Sequence, residues 1–115
     1  MKLQLSPDTL RLRLASAELA EFSQTGQLTQ VLDLGAGPAF TYALHRLPTT
    51  APGEPAAPAG GLRVRYAASA LVVEVPAMLA QSLTEGTTVS LRGEARGTNG
   101  QLLRILVEQD LGPSH

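Results

Sequence analysis

The chain has 115 residues, of which 43% are hydrophobic and 17% charged, and its net charge is −1. This length suits one domain with its own core, and the lack of cysteine excludes disulfides, thiolate chemistry and zinc sites with sulfur ligands. The near-neutral charge disfavours a nucleic-acid binder, and no run reaches the roughly 18 apolar residues that a membrane helix needs. The opening MKLQLSPDTL is too polar for a signal peptide, so we expect a cytoplasmic protein.

The first predicted element is a β-hairpin over residues 3–14. Leucines alternate with polar residues on both sides of the turn SPDT, where Pro7 pre-sets the backbone angle. A period of two places the leucines on one face of the hairpin and Lys2, Arg11 and Arg13 on the other. With this turn, Lys2 lies opposite Arg13 across the hairpin.

A short helix and a second hairpin follow. The segment SAELAEFSQTG has an N-cap candidate in Ser16, apolar side chains three residues apart in Leu19 and Phe22, and Gly26 at its end. The segments LTQVLDL and FTYALHRL then alternate as strands on either side of a glycine-containing turn. The first half of the chain is therefore predicted to run strand, strand, helix, strand, strand.

The segment PTTAPGEPAAPAGG, residues 48–61, has no hydrophobic periodicity and one charge. This composition indicates a flexible loop or linker. A proline-rich recognition segment is the alternative, although no P-x-x-P flanked by a basic residue is present.

The second half repeats the order of the first. LRVRYAASALVVEV predicts two strands, PAMLAQSLTEG predicts a short helix beginning at Pro76, and the last segment predicts a hairpin that turns at Asn99-Gly100. At an offset of 61 residues, five apolar positions of the first half find apolar counterparts in the second. These positions are Leu3, Leu10, Leu12, Leu14 and Phe22, which fall on Val64, Leu71, Val73, Val75 and Leu83.

We therefore predict a single α+β domain of two pseudo-repeated ββαββ units, residues 1–47 and 62–111. Each unit is near the lower size limit for independent folding, so the two are expected to share one core. The predicted sheet is mostly antiparallel and barrel-like or sandwiched, with two short helices packed on it. A plain antiparallel sheet with the helices on one face is the alternative.

Several stretches carry a resemblance to a known family. The opening MKLQLSPDTLRLRLASAELAEF, the segment FTYALHRL and the closing LLRILVEQDL resemble a family of small uncharacterised bacterial proteins. Its members open with a Met-Lys-aliphatic strand and a Leu-Arg-Leu-Arg-Leu strand, and close with a Leu-x-Ile-Leu-Val-Glu-x-Asp strand. The resemblance implies a bacterial, cytoplasmic origin and no known activity.

The cations of the first hairpin are the main candidate site. Like charges opposite one another are unfavourable, so these cations need acidic partners. If the closing strand lies beside the hairpin, Glu108 and Asp110 supply the acids internally. The alternative is an external anion, for which the candidate binding residues are Lys2, Arg11, Arg13 and Arg104.

Other candidate sites are weaker, and we predict no catalytic residue, metal or cofactor. His45 lacks further metal ligands, and no G-x-S-x-G motif is present. The alternating charges of Arg92, Glu94 and Arg96, near the last turn, could present guanidinium groups to an anion, but we interpret them as solvated. Val72, on the outer side of its strand, suggests partial cover and self-association.

Taken together, these features favour a protein that is not an enzyme. The first hypothesis is a non-catalytic interaction or adaptor module of a bacterial cytoplasm, whose partner is an unknown protein or a second copy. The second is a binder of a small anionic ligand or polyanion through the Lys/Arg face of the first hairpin. Membranes and nucleic acids are not expected partners. A concave pocket in which the cations converge would favour the second hypothesis.

Overall fold

The computed structural model describes residues 1–47, 61–86, 88–97 and 99–110. Its elements follow the predicted order of two strand–strand–helix–strand–strand units. In chain order they are β1 (Lys2–Ser6), β2 (Thr9–Leu14), α1 (Ser16–Thr25), β3 (Gln27–Leu32), β4 (Phe40–Arg46), β5 (Arg63–Ala67), β6 (Ala70–Val75), α2 (Ala77–Thr84), β7 (Ser90–Arg96) and β8 (Leu102–Gln109). The predicted linker lies outside the described residues except for Gly61.

The strands form two four-stranded sheets, and each sheet combines one hairpin from each half of the chain. Sheet A has the order β1-β2-β8-β7, and sheet B has the order β3-β4-β6-β5. The hairpins are antiparallel as predicted, whereas the central pairs, β2 with β8 and β4 with β6, are parallel. When each strand is replaced by its counterpart in the other half of the chain, such as β1 by β5 and β8 by β4, the strand order of sheet A becomes that of sheet B. The described strands do not close into a barrel.

One hydrophobic core lies against the inner faces of both sheets. Every second side chain of β2 and β6 is buried in it, which confirms the alternation predicted for these strands. Both helices add to the same cluster through Leu19 and Phe22 of α1 and Ala80 and Leu83 of α2. The two halves therefore share one core, as their small size requires.

Helix α1 begins at Ser16, the residue predicted as its N-cap, and the N-cap is Ala15, one residue earlier. The carboxylate of Glu18 accepts a hydrogen bond from the Ala15 amide at 2.9 Å. A carboxylate in the first turn is stabilised by the unpaired amides there. The helix ends as predicted at Gly26, whose φ of 76° closes the last turn with an amide hydrogen bond to Phe22.

Candidate functional site: the outer face of sheet A

The outer face of sheet A carries all four candidate anion-binding residues. Lys2 of β1 lies opposite Arg13 of β2, as predicted. Strand β8 lies beside β2, with Arg104 next to Thr9 and Glu108 next to Arg13. Because their neighbours along each strand point into the core, the side chains of Lys2, Arg11, Arg13 and Arg104 lie on the same outer side.

Glu108, on the same outer face, neutralises part of this positive charge. Its Oε1 accepts a hydrogen bond from Nε of Arg11 and lies 3.9 Å from Nε of Arg13. The hydrogen bond to Glu108 raises the pKa of Arg11 above its ordinary value. Asp110 extends the pairing of β2 with β8 through its backbone amide, which donates to the Leu14 carbonyl at 2.7 Å. The internal partner is thus confirmed for Glu108, with one carboxylate between two guanidinium groups.

Strand β7 adds charges that the sequence interpretation assigned to a solvated turn. Arg92, Glu94 and Arg96 alternate with the inward-facing Leu91 and Gly93, so all three point outward. Glu94 lies opposite Arg104 across the β7–β8 hairpin. The spacing R-x-E-x-R was the available signal, but joining it to the first hairpin requires knowing that β8 lies beside β2.

We call this surface the cationic face. It consists of Lys2, Arg11, Arg13, Arg92, Arg96 and Arg104, together with the acidic Glu94 and Glu108. It holds six of the nine Lys and Arg residues and two of the ten Asp and Glu residues of the chain. These eight residues together carry +4. Asp110, the next residue on that side after Glu108, lowers the sum for this side of the sheet to +3 and leaves −4 on the remainder of the chain. Among the described residues, Lys2, Arg92, Arg96 and Arg104 form no ion pair.

An open depression of about 830 Å³ lies along the β7–β8 hairpin, within the cationic face. Arg92, Arg96 and Arg104 line it together with Glu94, and Leu106 adds apolar surface. The three arginines are exposed, so their guanidinium groups are accessible from solvent. The cations neither converge in an enclosed pocket nor lie on a featureless plane.

The outer face of sheet B is nearly neutral by comparison. Glu74 of β6 is 8% exposed and lies opposite Arg63 of β5, as predicted. Its ion pair is formed with Arg65 instead, at 3.2 Å, which is the diagonal neighbour. On its other side lies His45 of β4, half-buried on the outer face. Val72 is half-buried on the same face, as expected. Its strand, β6, is central in sheet B, so it offers no free edge for pairing with a second copy.

A second, smaller cavity of about 490 Å³ lies where α1, β4 and α2 meet. Arg46 lines it and donates a hydrogen bond to the Ser23 carbonyl at 3.3 Å, so the cation of this cavity is engaged within the fold.

In the described ranges, no cluster of three or more His, Cys, Asp or Glu side chains could hold a metal ion. Nor is any described helix long and apolar enough to cross a membrane.

Comparison with protein families gives a match over residues 1–112, almost the whole chain. The chain belongs to DUF7009, a family of unknown function. This confirms the expectation of an uncharacterised family. No curated protein and no solved structure matches the chain.

Proposed function

We propose that this DUF7009 protein is a non-catalytic interaction module of a bacterial cytoplasm, and that its cationic face binds a short acidic segment of a partner protein. The observation that supports this most is the segregation of charge. Two thirds of the cations of a chain with net charge −1 lie on one sheet face. A concentrated field of one sign attracts a partner of the opposite sign and fixes its orientation.

The size of the face favours a short segment. Strands lie about 4.8 Å apart and alternate residues about 6.7 Å apart, so a four-stranded face of this length measures roughly 15–20 Å. An extended peptide covers that distance with about five or six residues. A longer polyanion such as duplex DNA would continue onto the remainder of the chain, which carries −4. The described part of the cationic face also lacks the aromatic side chains on which single-stranded nucleic acids stack.

The chemistry of the depression supports carboxylate recognition. Arg92 and Arg96 are four residues apart on one strand, and Arg104 lies opposite the residue between them. Guanidinium groups bind carboxylates through two parallel hydrogen bonds, which gives both strength and orientation. An extended segment with acidic residues at alternate positions presents its carboxylates on one side with a similar spacing.

The depression also supports a second candidate, a small polyvalent anion. Its volume of about 830 Å³ and three exposed arginines would accommodate a ligand such as an oligophosphate. Such a ligand would depend on Arg92, Arg96 and Arg104 and would not need Lys2 or Arg13 at the far side of the face. The two candidates therefore differ in how much of the face they use.

The test measures binding by fluorescence anisotropy at low salt with an eight-residue peptide of alternating Glu and Ser, with Gln replacing Glu in the control peptide. Tripolyphosphate and a 20-base-pair DNA duplex are the competing probes. The variant Arg92→Gln/Arg96→Gln removes two cations of the face, and Arg46→Gln/Arg63→Gln removes two cations elsewhere as a matched control.

We expect the acidic peptide to bind the wild-type protein, and the first double variant to bind it at least about tenfold more weakly, because each lost charge-assisted hydrogen bond is worth about 1.5–3 kcal/mol. The matched control should stay within about twofold. Lys2→Gln/Arg13→Gln should also weaken the peptide but not tripolyphosphate. The proposal is wrong if no acidic peptide binds, if both double variants weaken it equally, or if only duplex DNA binds.

A further inference from the structure

We propose that β3 is a self-association edge, and that two copies of the chain pair antiparallel through it to continue sheet B from one subunit into the other. Strand β3 ends sheet B. Five of its six residues are exposed. A strand at the end of a sheet presents a row of backbone N–H and C=O groups that have no partner within that sheet.

The other edge strands carry charges that oppose such pairing. Strand β1 contains Lys2, β5 contains Arg63 and Arg65, and β7 contains two arginines and a glutamate. Charged side chains on an edge discourage addition of another strand, since pairing would bring them together and strip them of water. Strand β3, with the sequence QLTQVL, contains no charged residue and no proline.

The comparison with β7 is the closest one, because β3 and β7 occupy corresponding places in the two sheets. Leu28 and Leu91 are each the second residue of their strand, and both are buried. The next two residues that point outward are Thr29 and Val31 in β3. In β7 the corresponding residues are Arg92 and Glu94. The same scaffold thus has charges at one edge and none at the other.

A second copy of the chain is the partner that this strand fits best, because β3 is complementary to itself. In the antiparallel register centred on Gln30, Thr29 lies opposite Val31 of the partner subunit, and Leu28 lies opposite Leu32 of the partner subunit. Both pairs join side chains on the same face of the sheet, and no charges meet. Identical strands paired in this way generate a closed two-fold dimer.

Pairing would also cover apolar surface that is otherwise exposed. Val31 is 67% exposed and Leu32 is 50% exposed. The interface uses an edge of sheet B, whereas the cationic face lies on sheet A, so each dimer would present two cationic faces. Self-association and the binding of an acidic segment are therefore independent of one another.

The first test is the mass in solution, measured by light scattering at about 100 μM protein. The chain has a mass of 12.0 kDa, and we expect the wild-type protein to show about twice that value. Val31→Glu gives β3 the same charge that Glu94 gives β7 at the corresponding position. This variant should show the monomer mass. Met78→Glu introduces the same charge at a helical position that is 82% exposed, and it should remain dimeric.

The second test locates the interface and its register. The chain has no cysteine, so Gln30→Cys introduces a single thiol. In the proposed register the two thiols face each other at a Cα separation of about 5 Å, which suits a disulfide. Mild oxidation should link most of Gln30→Cys into dimers and leave Met78→Cys monomeric on a denaturing gel. A monomeric wild-type protein, a dimeric Val31→Glu or equal cross-linking of both cysteine variants would overturn the proposal.

Discussion

Sheets A and B are built from the same pattern, yet they present different outer surfaces. Both place a stripe of aliphatic side chains inward, and residues of β2 correspond to residues of β6 throughout. On the outside, sheet A places Arg11 and Arg13 where sheet B places Val72 and Glu74. The inner positions determine the fold, because burial of apolar surface stabilises it. The outer positions can differ without changing the fold, and the proposed binding surface lies there.

The central strand pairs show the same contrast at a single point. In sheet A, Arg13 of β2 lies beside Glu108 of β8. At the corresponding point of sheet B, Glu74 of β6 lies beside His45 of β4. The acidic residue is therefore on β8 in sheet A but on β6 in sheet B, where Arg65 of the edge strand β5 forms an ion pair with it. Sheet B thus largely balances its own charge, whereas sheet A keeps an excess of cations, which is the basis of the proposed binding of an acidic segment.

The largest expected effect tests whether the two halves share one core. Phe22→Ala in α1 and Leu83→Ala in α2 each remove a side chain that is almost completely buried at corresponding positions. We expect the free energy of unfolding to fall by about 3–5 kcal/mol for Phe22→Ala and about 2–5 kcal/mol for Leu83→Ala. Urea titration followed by circular dichroism measures both. Each variant should keep one cooperative transition, and two separate transitions would show that the halves have separate cores.

A smaller effect is expected at the glycines that follow the two helices. Gly26 and Gly86 have φ values of 76° and 80°, a conformation that disfavours side chains. We expect Gly26→Ala and Gly86→Ala each to lower the free energy of unfolding by about 1 kcal/mol. A Cβ at Gly26 would lie 3.1 Å from Nη2 of Arg46, whereas nothing lies within 4 Å at Gly86. Gly26→Ala should therefore be the more destabilising of the two in the same urea titration, and the reverse order would contradict this reasoning.

The smallest effect concerns the ion pairs on the outer faces. Arg65 lies 3.2 Å from Glu74, whose side chain is nearly buried, whereas Arg13 lies 3.9 Å from the more exposed Glu108. We expect Arg65→Gln to lower the free energy of unfolding by about 1 kcal/mol, because it leaves a poorly solvated carboxylate with one fewer donor. Arg13→Gln should cost less than about 0.5 kcal/mol, as exposed pairs do. Thermal melts at low and at 1 M salt would check this, and an equal effect of the two changes would contradict it.

Much of the fold follows from local sequence. The SPDT turn and the alternation of Leu and Arg determine the register of the first hairpin, and Gly26 marks the end of α1. Cap positions were less predictable. Glu18 reaches back to cap α1 at Ala15, and Pro76 precedes α2 as its N-cap where the sequence predicted it as the first helical residue. Such one-residue differences arise because several residues near a helix start can satisfy its amides.

The pairing between hairpins could not be predicted in the same way. A period of two determines which side chains share a face of a strand, but not which strand lies next to it. The parallel contact of β2 with β8 joins residues about 95 positions apart, and no local signal specifies it. For this reason the sequence grouped Lys2, Arg11, Arg13 and Arg104 but did not join Arg92 and Arg96 of β7 to them.

The central claim is that the outer face of sheet A is a binding surface for an acidic segment. A titration of the ¹⁵N-labelled protein with the alternating Glu and Ser peptide, followed through assigned amide chemical shifts, tests it most directly. We predict that the shifts that change will cluster around Arg11, Arg92 and Arg104. Amides on the outer face of sheet B, such as those of Thr29 and Arg63, should not move. Changes centred on sheet B, or no changes at saturating peptide and low salt, would contradict the claim.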